Sequence, residues 1–180
     1  FETTTDPQDC RVWAWAVALI DDPEQVYYGN TIQSFMNWLS RGDVRTAWFH
    51  NLAFDGKFIL DYLMRCGYTY AETNPGRSQF STLISNKGKF YQLEVCFGNG
   101  TRVIFQDSLK VFPMTVKRIA ETFNLPEQKG DLDYRKYREP GHKITDEELY
   151  YISHDVQIVA RALQQNFAQG LEKMTIGANA

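Results

Sequence analysis

Residues 44–67 begin Val44-Arg45-Thr46-Ala47-Trp48-Phe49-His50-Asn51-Leu52-Ala53-Phe54-Asp55 and run on to Cys66 and Gly67. Val44 to Phe49 is short, apolar and aromatic, the composition of a buried strand. From Phe54 to Cys66 the residues Phe54, Phe58 and Leu63 fall on neighbouring helical faces, and Gly67 is placed to close that helix. A strand that hands over directly to a helix is the building unit of α/β proteins. The junction, with His50, Asn51 and Asp55, is where such folds place chemistry.

Outward from that unit the same alternation continues. On the N-terminal side, Arg11 to Ile20 alternates small, apolar and aromatic side chains (Val12, Trp13, Trp15, Val17, Leu19) and predicts a strand, broken by Asp21-Asp22-Pro23. Val26 to Tyr28 predicts a short strand. Asn30 or Thr31 can cap a helix in which Ile32, Phe35, Met36 and Leu39 keep helical spacing up to Gly42. On the C-terminal side, Phe80 to Ile84, Lys89 to Phe97 and Thr101 to Phe105 are β-rich. They are separated by Asn86-Lys87-Gly88 and Gly98-Asn99-Gly100, so two hairpins are expected. Pro113 precedes a helical run with Val116, Ile119, Ala120 and Phe123, which Pro126 ends. Gln128 to Gly141 is polar and irregular. Thr145 and Glu148 form a capping box that opens a long helix with Leu149, Ile152, Val156 and Val159. Beyond Gly170 no structure is expected. The fold class is therefore α/β, a mixed sheet with helices and hairpin insertions.

The chain has 180 residues, 43% hydrophobic and 23% charged, which suits one folded domain with a core that needs no disulfide or structural metal. No run approaches the 18 or so apolar residues of a membrane helix, the longest being Ala14 to Ile20, and no secretory leader is evident. A soluble, intracellular protein without membrane contact is expected. Cys10, Cys66 and Cys96 are far apart and form no CxxC pair, so they are expected to be reduced, mostly buried thiols rather than zinc ligands or disulfides. The net charge of −3 gives no global basic excess for nucleic acid. Carboxylates gathered around metal ions would nevertheless make a nucleic-acid enzyme look acidic.

Four acidic residues stand in suggestive places: Glu2 on a strand, Asp55 at the strand-to-helix junction, Asp131 in the polar segment and Asp155 inside the last helix. Mg²⁺ prefers such hard oxygen ligands, and two ions about 3.5 to 4 Å apart can activate water and stabilise a leaving oxygen. Tyr151 precedes Asp155 by four residues and shares its helix face, where a phenol could orient the attacking water. Alone this pair carries little weight, since ten tyrosines and twelve aspartates in 180 residues give roughly 0.7 such spacings by chance.

Order and context add more. Phe1-Glu2-Thr3-Thr4-Thr5, then His50-Asn51-Leu52-Ala53-Phe54-Asp55-Gly56-Lys57-Phe58, then Tyr151-Ile152-Ser153-His154-Asp155 resemble the three successive motifs of DEDD-type proofreading exonucleases. The wording is closest to the exonuclease domain of protein-primed family B DNA polymerases of the phi-29-like phage type. Asp107-Ser108-Leu109-Lys110, Lys129 to Tyr134, Lys143-Ile144-Thr145 and Gln169 to Thr175 resemble that family in the same order, so the likeness covers essentially the whole chain.

The resemblance implies a ribonuclease H-like mixed β-sheet flanked by helices, with an exonuclease domain over residues 1–170 and a tail, 171–180, leading to an absent polymerase domain. It implies two divalent metal ions, Mg²⁺ or Mn²⁺, held by Glu2, Asp55 and Asp155, with Asp131 a lesser candidate. Tyr151 would orient the water, and Lys129 would offset charge at the scissile phosphate. Thr3, His50, Asn51, Phe54, Ser108, Leu109, Tyr134 and Lys143 would hold the single-stranded 3′ end of the primer, although Phe54 and Leu109 are by residue type core formers. His142 and His154 are left as surface histidines. A terminal protein that primes synthesis would be the partner of the parent polymerase, itself a monomer, in a host cytoplasm if phage-encoded.

The departure lies at the start. The family's first motif is Asp-x-Glu, and its Asp would precede Phe1, so one carboxylate is absent, as are the polymerase motifs. The expectation is a piece cut from a longer polymerase. Two alternatives remain: a non-cleaving module that binds single-stranded DNA or the terminal protein, and a stand-alone 3′ exoribonuclease. Against the second, relatives with histidine in the third motif carry it five residues before the last Asp, where this chain has Tyr150.

Overall fold

Along the chain, a computed structural model describing residues 1–127 and 130–179 runs β1 (Glu2–Thr3), β2 (Val12–Ala18), β3 (Val26–Gly29), α1 (Ile32–Arg41), β4 (Thr46–Phe49), α2 (Leu52–Arg65), β5 (Thr69–Tyr70), β6 (Gln79–Ile84), β7 (Phe90–Cys96), β8 (Arg102–Asp107), a 3₁₀ turn (Ser108–Lys110), α3 (Val116–Thr122), α4 (Asp146–Ala168) and α5 (Ile176–Asn179). The chain divides into two units. One comprises Phe1–Phe35 and Met114–Glu172, the other Met36–Pro113 and Lys173–Ala180.

The first unit holds an antiparallel sheet in the order β1-β2-β3 on which α4 packs through β2. Its core is Trp13 and Ala14 of β2 against Tyr151 and Ile152 of α4, with Leu132, Ile144 and Leu149 packed around them. Helix α4 starts where the sequence predicts. The Thr145 side chain accepts from the Glu148 N–H and the Glu148 side chain accepts from the Thr145 N–H, while Asp146, Glu147 and Glu148 oppose the positive end of the helix dipole. Of the two capping candidates for α1, Thr31 takes the role, its hydroxyl accepting from the Ser34 N–H at 3.1 Å. Gly29, facing Trp15 across the β2–β3 pair, has no room for a side chain: a Cβ there would lie 2.5 Å from the indole nitrogen.

The second unit is a mixed sheet in the order β4-β8-β7-β6-β5. β4 runs parallel to β8 and β5 parallel to β6, and the meander β6-β7-β8 between them is antiparallel. Both predicted hairpins are present, with left-handed Gly88 and Gly100 in their turns. Helix α2 packs on β4, β7 and β8, and Leu52, Ile59, Leu63, Leu93, Val103 and Phe105 are fully buried. The expected fold class holds: mixed sheet with helices.

Three expectations need correction. Helix α2 begins at Leu52 rather than Phe54. The tail is not devoid of structure, because α5 forms there and Asn179 folds back to accept from the Lys173 N–H at 2.9 Å. Only Cys96 is buried; Cys10 and Cys66 are exposed, because the first lies in the loop before β2 and the second caps the outer end of α2. Among the described residues no helix is long and apolar enough to cross a membrane.

Candidate active site

In the first unit, the register of β1 on β2 sets Glu2 opposite Ala14, and Ala14 shares the core cluster with Tyr151. Strand pairing thus carries Glu2 toward the α4 face that presents Tyr151 and, one turn later, Asp155. Tyr151 is buried, and its hydroxyl meets the Tyr134 hydroxyl at 2.6 Å. Burial first, then the bond to Tyr134, then the nearby charges of Asp155 and Glu2, all raise the Tyr151 pKa. The phenol therefore stays protonated at any ordinary pH. One Asp155 oxygen, Oδ1, is buried. Gly130 approaches the same ring so closely that a Cβ would lie 3.3 Å from Tyr151 Cδ2.

Behind this group a charged frame holds the polar segment. Arg138, 3% exposed, lies over the Trp13 ring at 4.2 Å. Its Nε donates to Glu148 Oε1 at 2.8 Å, and its Nη1 donates to the Asp133 and Lys136 carbonyls at 2.9 and 3.0 Å. The other Glu148 oxygen lies 2.7 Å from His142 Nε2. His142 is therefore not a plain surface histidine but part of the frame. The turn so fixed, 133–136, carries Tyr134.

In the second unit, β4 and β8 are parallel neighbours that end together, Phe49 opposite Asp107. The carboxyl ends of adjacent parallel strands are where open α/β sheets bind ligands, and the residues that follow both strands are among those singled out from sequence. Asp107 is fully buried. Its Oδ1 accepts from the Asn51 and Leu109 N–H groups, both at 3.0 Å, and its Oδ2 pairs with Lys110 Nζ at 2.6 Å. The buried Ser108 hydroxyl donates to the Phe49 carbonyl at 3.1 Å and lies 3.1 Å from His50 Nδ1. Asn51 caps α2 in the left-handed conformation (φ 84°, ψ 55°) without using its side chain as a cap. Asp55 is buried in the first turn, whereas Phe54, a core former by type, is 46% exposed.

The structure thus joins Glu2, Tyr134, Tyr151 and Asp155, with Thr3 beside Glu2, in one unit, and His50, Asn51, Phe54, Asp55, Ser108 and Leu109 in the other. Asp131 on the polar segment and Lys143 just after it are exposed, and Lys129 lies outside the described residues. Among the described residues no three His, Cys, Asp or Glu side chains form a group that could hold a metal ion. In kind, the donors do fit a hard divalent cation, for Glu2 and Asp155 offer carboxylate oxygens and one of these is buried. Asp107, Arg138 and the wider role of Glu148 escaped the sequence reading. Asp107 stood in a quoted motif, Glu148 was visible only as a cap, and Arg138 had no local signal.

The family model for DNA polymerase type B, organellar and viral, matches residues 39–139. The chain is 43% identical to the DNA polymerase of Bacillus phage phi29 over 183 residues, covering 99% of this chain and 32% of that polymerase. It is 27% identical to the DNA polymerase of Streptococcus phage Cp-1 over 191 residues, covering 94% of this chain and 31% of the other. A solved structure of phi29 DNA polymerase complexed with single-stranded DNA superposes with a TM-score of 0.94 at 41% identity, over 99% of this chain and 32% of that one. The ternary complex of the same polymerase with primer-template DNA and incoming nucleotide gives 0.93. The chain therefore spans about a third of the length of the relatives it matches.

Proposed function

The chain belongs to the type B DNA polymerases of organelles and viruses, and from that premise we propose that it is the 3′→5′ proofreading exonuclease part of a protein-primed polymerase used in viral DNA replication. The observation that carries this reading is the Tyr151 phenol, buried, bonded to Tyr134 and faced by the Glu2 and Asp155 carboxylates. The substrate would be the 3′ end of single-stranded DNA, and the products nucleoside monophosphates. A terminal protein would be the partner of the whole polymerase.

The parts of Tyr151, Glu2 and Asp155 follow from their chemistry, and the others from resemblance. Two phenols joined by one hydrogen bond still offer Tyr151 a way to orient an attacking water: its oxygen accepts from the water when Tyr151 donates to Tyr134, and its O–H donates to the water when Tyr134 is the donor. Glu2 and Asp155 would hold divalent cations, and Asp55 takes the same role by its motif alone. Bound Mg²⁺ or Mn²⁺ supplies an acidified water and neutralises charge on the leaving oxygen. Lys129 is assigned to the scissile phosphate by resemblance. The exposed ring of Phe54 in one unit and that of Tyr134 in the other each suit stacking on an unpaired base; Thr3, His50, Asn51, Ser108, Leu109 and Lys143 are assigned to DNA, and Asp131 to metal as a lesser ligand, by resemblance.

The test is to place one aspartate before Phe1 and to incubate that protein with a 5′-labelled single-stranded oligonucleotide and Mg²⁺ or Mn²⁺. Stepwise, metal-dependent shortening from the 3′ end is expected, abolished by Asp155→Ala with the circular dichroism unchanged. A folded protein that leaves the oligonucleotide intact would refute the assignment. Binding without shortening would mark a non-cleaving module, and faster cleavage of matched RNA a ribonuclease.

A further inference from the structure

Asp107 is a fully buried carboxylate to which no catalytic part has been given, and its hydrogen bonds tie together two turns distant in sequence. Oδ1 accepts from the Asn51 N–H and from the Leu109 N–H, both at 3.0 Å. The first belongs to the turn between β4 and α2, the second to the turn after β8. Oδ2 is held by Lys110 Nζ at 2.6 Å, which fixes the rotation of the carboxylate. A second tie runs alongside, from the Ser108 hydroxyl to the Phe49 carbonyl at 3.1 Å.

Asn51 needs such a tie. It occupies the left-handed region at φ 84°, which costs a non-glycine residue free energy and persists only where surroundings enforce it. Its side chain makes no capping bond to α2. Leu109 stays partly exposed although it sits one residue after the buried Ser108. Both side chains are aimed by backbone that Asp107 holds.

We propose that Asp107 is a positioning residue that fixes Asn51 and Leu109 in the geometry in which they grip an unpaired DNA 3′ end. The proposal rests on the exonuclease reading for its ligand, and on the buried carboxylate for its geometry. A carboxylate or amide oxygen carries two acceptor lone pairs, so a single oxygen can serve both N–H groups. Asparagine can present an oxygen in the same place; alanine and leucine cannot.

The experiment has two arms. In the first, NMR follows the amide protons of Asn51 and Leu109 in the DNA-free protein. Asp107→Asn should keep both protected from exchange, and Asp107→Ala should expose both together. Exposure of one alone, or of neither, overturns the tie. In the second, fluorescence anisotropy follows a labelled oligothymidine without metal, so that binding is read apart from cleavage. Asp107→Asn should bind within about twofold of the parent and Asp107→Ala about tenfold more weakly. Asp107→Leu, which keeps the side-chain volume, should match Asp107→Ala and stands in for it should that variant not fold. Equal binding by the parent and by folded Asp107→Ala or Asp107→Leu refutes positioning, and equal weakening by Asp107→Asn refutes the role of the oxygen. A parent protein that binds no oligothymidine defeats the exonuclease reading itself, while the first arm still reports on the tie.

Discussion

Glu148→Gln removes one negative charge from the frame behind Tyr134 and leaves the shape of the side chain intact. Glu148 is 3% exposed. Burial opposes its ionisation, but hydrogen bonds from His142, the Thr145 N–H and Arg138 outweigh that and bring its pKa down from 4.5 to about 2. A fall from 4.5 to about 2 corresponds to about 3 kcal/mol supplied to the folded state by the ionised carboxylate. Because the folded pKa is the lower one, that contribution is complete above pH 4.5 and is lost as the pH drops toward about 2. The variant also strands Arg138, a buried cation whose other partners are carbonyls, and breaking such a pair typically costs about 3–5 kcal/mol. Urea unfolding followed by tryptophan fluorescence suits the measurement, since Trp13 lies under the Arg138 guanidinium. At pH 7 the variant should be less stable by about 3 kcal/mol, a fall in melting temperature of about 6–12 °C. The gap should narrow between pH 4.5 and about 2. A variant within about 1 kcal/mol of the parent at pH 7, or a gap that stays constant down to pH 3, would refute the reasoning.

Other substitutions test neighbouring parts. Tyr151→Phe keeps the packing and deletes the hydroxyl; stability should fall by only about 1 kcal/mol, while oligonucleotide shortening should slow about 10²-fold or more, as measured by single-turnover gel assays. At Asn51, whose φ is 84°, glycine should be tolerated in thermal unfolding, whereas valine should cost more than about 1 kcal/mol because its branched side chain resists that conformation. Gly29→Ala places a methyl 2.5 Å from the Trp15 indole and should destabilise by about 1–3 kcal/mol through forced movement of a buried ring; calorimetry would check it.

What could be read from the sequence was mostly what is local. The Thr145–Glu148 box, the two glycine hairpins and the strand from Val12 are set by residues within a few positions of one another, and the structure keeps them within a residue or two of the expected ends. Tyr151 and Asp155 were legible as a pair because helical spacing dictates a shared face. The Tyr134–Tyr151 bond was not, since the two phenols are 17 positions apart and most of the chain between them is irregular. Asp107 was read as a neighbour of Ser108, not as a partner of Asn51, because the parallel pairing of β4 with β8 joins segments that no local pattern connects. Arg138 sits in a segment without periodicity, and burial of an arginine there has no signature in residue type. The exposure of Phe54 likewise runs against its type, in a first turn of α2 whose Leu52 and Asp55 are buried.

The parallel pairing of β4 with β8 bears on the order in which the protein is made. The Asn51 and Asp107 partners lie 56 residues apart in the chain, and every strand of the β6-β7-β8 meander lies between them. Closing so long a loop is entropically costly and slow compared with zipping adjacent hairpins. The meander can therefore assemble early, while the turn at Asn51 acquires its left-handed shape only when β8 docks beside β4. In refolding, the ability to bind a single strand should thus emerge with the slowest phase, after most secondary structure is in place, and a nascent chain would be folded in appearance before it is competent.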